Sequence, residues 1–146
     1  MTTEAHKQIN TLSSFINDAS YNQMEDVLHA MIGRLVQGVT TDHIDEIRFQ
    51  FSDADVVFYH NQDCCESVQI DDINGNLQDL VGNILLVADE RISDEPEGDD
   101  QNNESDTWTF YTFRCNAESV DVKWHGYSNG YYSERVDVRV ENPTFN

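Results

Sequence analysis

The sequence predicts an α+β fold in which an antiparallel β-meander of about six or seven strands packs with two N-terminal helices. Apolar residues recur at helical spacing early in the chain and alternate with polar residues later, and no connection after residue 84 has room for a crossover helix. Parallel strands need such a crossover, so an antiparallel sheet is expected. The 146 residues suit a single domain, with a helical part at 1–40 and a sheet part at 44–140.

Two helices are predicted in the first forty residues. The first covers about residues 3–17, where apolar side chains fall roughly on one helical stripe. The second covers residues 20–37, because Ser20 and Gln23 form a capping box ahead of a longer apolar stripe and Gly38 follows it. We interpret the second stripe as a core contact or a dimer seam. It consists of Met24, Val27, Leu28, Met31, Ile32, Leu35 and Val36.

The predicted strands begin at residue 44. Alternation on either side of the polar turn 52–55 predicts a β-hairpin. A long, solvated loop is expected at residues 93–106, which hold seven acids and no base. A further loop is expected at 71–76, and a helical turn at 76–82. The predicted strands are residues 44–51, 56–60, 67–70, 84–92, 107–115, 119–125 and 131–140.

Charge is the outlying property of the composition. The chain has 28 Asp and Glu against 8 Lys and Arg, a net charge of −20 and an isoelectric point near 4.1. Such a surface repels nucleic acid and anionic membranes and attracts basic partners. The N-terminus has no signal-peptide pattern, and no apolar segment approaches the ~20 residues that span a bilayer. A location in the cytoplasm of a host cell, with mostly reduced thiols, is therefore expected.

Two short motifs stand out: residues 62–67 read QDCCES and residues 128–134 read SNGYYSE. Other notable residues are Tyr59, His60, Val68, Asp79, Leu80, Gly82 and Thr107 to Tyr111. On these residues, the segment from about 44 to 138 resembles a domain of unknown function that is scattered through phage and bacterial genomes. The resemblance implies a small, often phage-borne domain. It implies no established activity and supplies no catalytic residues.

His60, Cys64 and Cys65 are the candidate ligands for a metal ion such as zinc. Adjacent residues of a strand point to opposite faces, so the two cysteines serve one tetrahedral ion only if the strand is broken there. A reactive thiolate is also disfavoured in so negative a chain. We therefore favour a structural role, with one cysteine in the core and Glu66 bonded to a backbone amide or an arginine. No metal, cofactor or catalytic residue is predicted, and a metal-dependent enzyme is kept as an alternative.

The excess of carboxylates predicts a cationic partner. Residues two apart on a strand share a face at about 6.6 Å, and a DNA strand carries one charge per ~3.4 Å, so an acidic sheet approaches the charge density of DNA. We predict a non-enzymatic, phage-encoded inhibitor that binds a host defence complex, such as a CRISPR effector or a restriction enzyme, as a DNA mimic. A dimeric structural or adaptor phage protein, joined through the helix at 20–37, is the alternative. The predicted partner-binding residues are Asp53, Asp55, Asp71, Asp72, Asp94, Glu95, Glu97, Asp99, Asp100, Tyr131 and Tyr132.

Overall fold

Two antiparallel sheets of four strands each make up most of the fold. They belong to a computed structural model that describes residues 11–16, 23–93 and 105–145. The α+β class is confirmed in broad terms. The prediction of one meander covered by two helices is wrong, because the described residues form two sheets, one α-helix and two short 3₁₀ turns. None of the described helices is long and apolar enough to cross a membrane.

The first sheet contains the predicted hairpin. Its strand order is β1-β2-β3-β8, and the bounds are β1 Gly38–Thr41, β2 Ile47–Gln50, β3 Asp55–Tyr59 and β8 Asp137–Glu141. Strand β2 starts later than predicted because one carboxylate oxygen of Asp42 accepts the N–H groups of Ile44, Asp45 and Glu46, which holds these residues in a loop. Strand β8 likewise begins at 137, so residues 131–136 are not part of it.

The second sheet has the strand order β4-β7-β6-β5. Its strands are β4 Ser67–Asn74, β5 Val87–Ser93, β6 Ser105–Arg114 and β7 Ser119–Ser128. Strand β4 includes most of the loop predicted at 71–76. A register shift between Ile70 and Asp72 inserts one extra residue there, which keeps Val68, Ile70 and Ile73 partly or fully buried. Most of the predicted acidic loop, residues 94–104, lies outside the described residues.

The two sheets pack face to face through aromatic rings. Phe49 lies 4.8 Å from Phe113 between ring centroids, and Phe58 lies 5.2 Å from Tyr111. Trp124 on β7 is completely buried in the same apolar cluster. Tilted and edge-on ring pairs add to the burial of large apolar areas, so this aromatic layer holds the sheets together.

The helix α1 spans Met24–Met31 and buries the first four residues of the predicted apolar stripe, whereas Ile32 and Leu35 lie beyond the helix and are exposed. It ends well before residue 37, because the chain turns at Gly33, which has a φ of 90°, and then runs beside residues 82–85. Val36 donates its N–H to the carbonyl of Asn83 at 3.0 Å in this extended segment. The core contact predicted for the stripe is confirmed for its helical residues such as Met31, which is fully buried, and the dimer seam stays a prediction.

The remaining helical predictions have mixed outcomes. Of the first predicted helix, only residues 11–16 are described, and they contain a 3₁₀ turn at Leu12–Phe15. Ser20 of the predicted capping box lies outside the described residues. The helical turn predicted at 76–82 is confirmed as a 3₁₀ turn at Leu77–Leu80, where the side chain of Asn76 accepts the N–H of Gln78.

Candidate functional site

The two sequence motifs meet at one end of the paired sheets. QDCCES connects β3 to β4, and SNGYYSE connects β7 to β8. Tyr59 at the end of β3 pairs with Asp137 at the start of β8, and Ser67 at the start of β4 pairs with Tyr127. The ends of these four strands therefore place the two connections side by side. We call residues 60–66 together with 128–135 the motif end.

Glu66 organises the first connection. Its side chain is buried, and its carboxylate accepts the N–H groups of Asp63 at 2.7 Å and Cys64 at 3.0 Å. The ring of His60 lies 2.6 Å from the same carboxylate. Burial alone would raise the pKa of Glu66, but the hydrogen bonds from Cys64, His60 and Asp63 outweigh it and lower the pKa to about 2. Glu66 is therefore a fixed negative charge that holds the loop around itself.

His60 joins the two connections. Its Nε2 faces Glu66, and its Nδ1 lies 2.7 Å from the backbone carbonyl of Arg135. Both partners are acceptors, so both contacts are hydrogen bonds only when each ring nitrogen carries a proton. Next to it, the N–H of Asn61 donates to the carboxylate of Asp137 at 2.9 Å. Both nitrogens of His60 are thus engaged within the protein, which leaves neither lone pair for a metal.

Cys64 and Cys65 are bonded to each other in a disulfide, and both residues are exposed. The expectation of reduced thiols is therefore wrong for this pair, and the buried cysteine is Cys115. The paired sulfurs offer no thiolate to a metal, and the described residues contain no group of three or more His, Cys, Asp or Glu placed to hold one. The argument that neighbouring cysteines point apart fails because residues 60–66 form a loop rather than a strand.

Glu134 closes the second connection and was not singled out as a functional residue from the sequence. It is buried, and its carboxylate accepts the hydroxyls of Thr107 at 2.7 Å, Ser105 at 3.2 Å and Ser128. The Ser128 hydroxyl in turn accepts the N–H of Gly130 at 2.9 Å. The first and last residues of SNGYYSE, Ser128 and Glu134, thus bond to each other across the loop.

Tyr131 stands at the tip of this closed loop. It is 82% exposed, more than any other large hydrophobic side chain among the described residues. Its ring meets that of Tyr132 edge to face, at 5.1 Å between centroids. Tyr127, at the end of β7, is 38% exposed. Exposed aromatic rings on a fixed loop are the usual anchors of protein interfaces.

An acidic cleft adjoins the motif end. A cavity of about 400 Å³ lies between α1 and the start of β8 and is lined by Glu25, Glu90, Ser133, Arg135 and Asp137, among others. A second cavity of about 370 Å³ shares Glu25 and Glu90 and reaches Asp89. We call the two together the acidic cleft. Burial raises the pKa of Glu90, as do the charges of Asp89 and Glu25, against the hydrogen bond from Tyr111 at 2.7 Å. The cleft is acidic because the carboxylates of its described lining outnumber its one arginine.

The structure disperses the other predicted partner-binding acids. Asp53 and Asp55 lie at the opposite end of β3, where Asp53 pairs with Arg34 at 2.8 Å. Asp55 is completely buried against Arg48, so it cannot contact a partner. Asp71 and Asp72 are exposed on β4, and the five acids between 94 and 100 lie outside the described residues. The predicted acids that the structure describes thus form separate groups and not one strand-spaced row.

Most described cations already face acids of the same chain. Arg139 contacts Glu141 at 2.5 Å and Glu46 at 3.9 Å, and Arg48 also reaches Glu141 at 2.9 Å. The hydrogen bond from Arg139 lowers the pKa of Glu141, against the effect of burial and with further help from Arg48. These two arginines are thus already paired with acids of the same chain.

The outer face of the second sheet places Lys123 and Arg91 over aromatic rings. The rings of Trp108 and His125 stack at 4.1 Å, and the ammonium of Lys123 lies 4.5 Å from the centre of Trp108. Arg91 lies over Phe110 at 5.2 Å. Alternation predicts that Trp108 and Phe110 share a face, but it does not show that this face is the outer one.

Comparison with known proteins gives a family without an activity. A family model described as Domain of unknown function (DUF7448) matches residues 29–138, which include both motifs. The resemblance seen in the sequence starts at about residue 44, whereas the family match starts at residue 29 and therefore includes the end of α1. No curated protein and no solved structure matched the chain.

Proposed function

The chain belongs to the DUF7448 family, whose description names no activity, and on that premise we propose that it is a non-catalytic protein that binds a basic partner. The binding surface is the motif end together with the acidic cleft. The single observation that carries the proposal is the position of Tyr131, an exposed ring on a closed loop, beside a cleft whose carboxylates outnumber its cations. An arginine or lysine of the partner would neutralise Glu90 and Glu25 while Tyr131 packs against its surface.

The partner class that fits this chemistry is a nucleic-acid-binding protein. Its phosphate-receiving surface is cationic, and a protein of net charge −20 competes for it as a polyanion. We propose a host defence complex, such as a CRISPR effector or a restriction enzyme, as the target, and a phage as the source. Since the described acids lie in groups, the mimicry of DNA lies in charge and not in a regular row of carboxylates.

The experiment is a capture from host lysate with the immobilised chain at 50 and 300 mM NaCl, with and without competing DNA. Binding should fall at least about tenfold at the higher salt, because exposed charges are screened. Partners retained at low salt should also be displaced by DNA. A partner that is held equally at both salts, and that still binds its DNA in the complex, contradicts the proposal.

Matched variants locate the surface. Glu25→Gln with Glu90→Gln removes two charges from the acidic cleft, and Asp79→Asn with Glu118→Gln removes two exposed charges from the far end. Only the first pair should weaken binding strongly, and Tyr131→Ala should cost about 2 kcal/mol of binding free energy or more. Equal losses from the two pairs would mean that overall charge, and not this surface, attracts the partner.

A further inference from the structure

We propose that the Cys64–Cys65 disulfide is a thiol–disulfide exchange site, whose co-substrate is a dithiol reductant, and that its redox state sets the conformation of residues 60–66. The site differs from a structural crosslink in what it joins. It links adjacent residues, so it encloses no chain and connects no two elements of the fold. Stabilisation by a disulfide comes mainly from closing a loop in the unfolded chain and grows with loop length, so this bond contributes almost nothing by that route.

The bond is also within reach of a reductant. Cys64 and Cys65 are both exposed, whereas the remaining cysteine, Cys115, is 2% exposed. Exchange requires a thiolate to reach a disulfide sulfur, and burial would prevent it. The exposed pair therefore meets the condition, and the buried thiol of Cys115 neither attacks nor competes in the folded protein.

The exchange balances with a dithiol as the source of two electrons. One thiolate of the reductant attacks the sulfur of Cys64 or Cys65, the S–S bond breaks, and a mixed disulfide forms with release of the other cysteine as a thiolate. The second thiol of the reductant, as its thiolate, then attacks the mixed disulfide. The reductant leaves as a cyclic disulfide, and the second protein thiolate is released. Cys64 and Cys65 each gain one proton, and the reductant is oxidised by two electrons.

The conformational consequence follows from the contacts of Glu66. In the bonded state, both sulfurs lie on the same side of the chain, and the N–H groups of Asp63 and Cys64 are aimed at the buried carboxylate. Without the bond, neighbouring side chains are free to point apart as they do in an extended chain. The two N–H groups then turn away from Glu66, and the link through His60 to Arg135 loses its support.

The test treats the folded, full-length protein with dithiothreitol without oxygen and traps free thiols with N-ethylmaleimide. Mass spectrometry should find two alkyl groups, on Cys64 and Cys65, and none on Cys115. Before the reductant is added, neither residue should react. Hydrogen exchange of the amides in residues 60–66 should become about tenfold faster on reduction, while that of β7 stays unchanged. An oxidised dithiol should restore the slow exchange.

The variants sharpen the result. Cys64→Ser with Cys65→Ser should show the fast exchange at all times, and Cys115→Ser should behave as the wild type. If the double variant does not fold, the comparison of hydrogen exchange between reduced and oxidised wild type still tests the proposal. Alkylation before reduction, resistance to dithiothreitol in the folded state, or unchanged exchange in residues 60–66 each overturns the proposal. The assay contains no partner, so its outcome is independent of the proposed function.

Discussion

Asp55→Ala should lower the free energy of unfolding by about 3 kcal/mol, because it removes a completely buried charge from three hydrogen bonds. The carboxylate accepts from Arg48 at 2.7 Å, from the hydroxyl of Thr144 at 2.5 Å and from the N–H of Thr144 at 3.2 Å. Each such bond contributes about 1 kcal/mol or somewhat more. Arg48 keeps Glu141 at 2.9 Å, which places the total at the lower end for breaking a buried ion pair.

Urea unfolding followed by tryptophan fluorescence measures this loss, since Trp124 is buried between the sheets. Asp53→Ala is the matched control two residues away, because its ion pair with Arg34 is partly exposed and should contribute less than about 1 kcal/mol. The loss at Asp55 should persist in 0.5 M NaCl, where an exposed pair is screened. If the two variants lost equal free energy of unfolding, the reasoning would be refuted, and Asp55 would count again as an exposed acid that can face a partner.

Three further predictions concern stability. Glu66 has a pKa of about 2 in the folded protein against an ordinary 4.5. Its ionised form therefore contributes fully to the free energy of unfolding above about pH 4.5, and this contribution disappears as the pH falls towards 2. Between these pH values, urea titrations should show that Glu66→Gln loses less stability than the wild type. Gly33→Ala should cost about 1 kcal/mol in thermal unfolding, from the φ of 90° alone, because a Cβ there meets nothing within 4 Å. Phe58→Ala should cost about 3–5 kcal/mol by urea unfolding, and Tyr131→Ala less than about 0.5.

Each of these has a result that would contradict it. A Glu66→Gln variant with the same acid sensitivity as the wild type would mean that the carboxylate is not held by its amide donors. A neutral Gly33→Ala would mean that the helix does not end in a left-handed turn. A destabilising Tyr131→Ala would place that ring in the core and remove it from the proposed interface.

Local patterns in the sequence predicted the elements better than their assembly. The hairpin of β2 and β3 and the long strands β6 and β7 follow from alternation and turn residues. The split into two sheets does not, because it depends on β8 pairing with β3, far away in the chain. The end of α1 was missed for a similar reason. Leu35 and Val36 fit the helical spacing, yet Leu35 bridges to Ile84 in an extended pairing that no local pattern announces.

The sequence predicted the two motifs of the candidate site but not that they lie side by side. Both motifs were found, but their neighbourhood was not, since His60 reaches Arg135 across 75 residues. Residue type also failed to separate working acids from internal ones. Glu134 and Asp55 are buried acceptors that nothing in their immediate sequence distinguishes from exposed carboxylates, whereas the prediction that Glu66 bonds to a backbone amide is confirmed. The acidic cleft depends on α1 packing beside β5, which the sequence leaves undetermined.

The last strand returns to the sheet that the first strands began. The carboxylate of Asp55 accepts a hydrogen bond from Thr144, which lies 89 residues later in the chain. Strand β3 likewise depends on β8 for its neighbour on one side. During translation, the edge of β3 therefore stays unpaired until β8 has been synthesised. A chain truncated before residue 137 keeps every strand of the second sheet but exposes that edge, which makes incomplete products prone to aggregate.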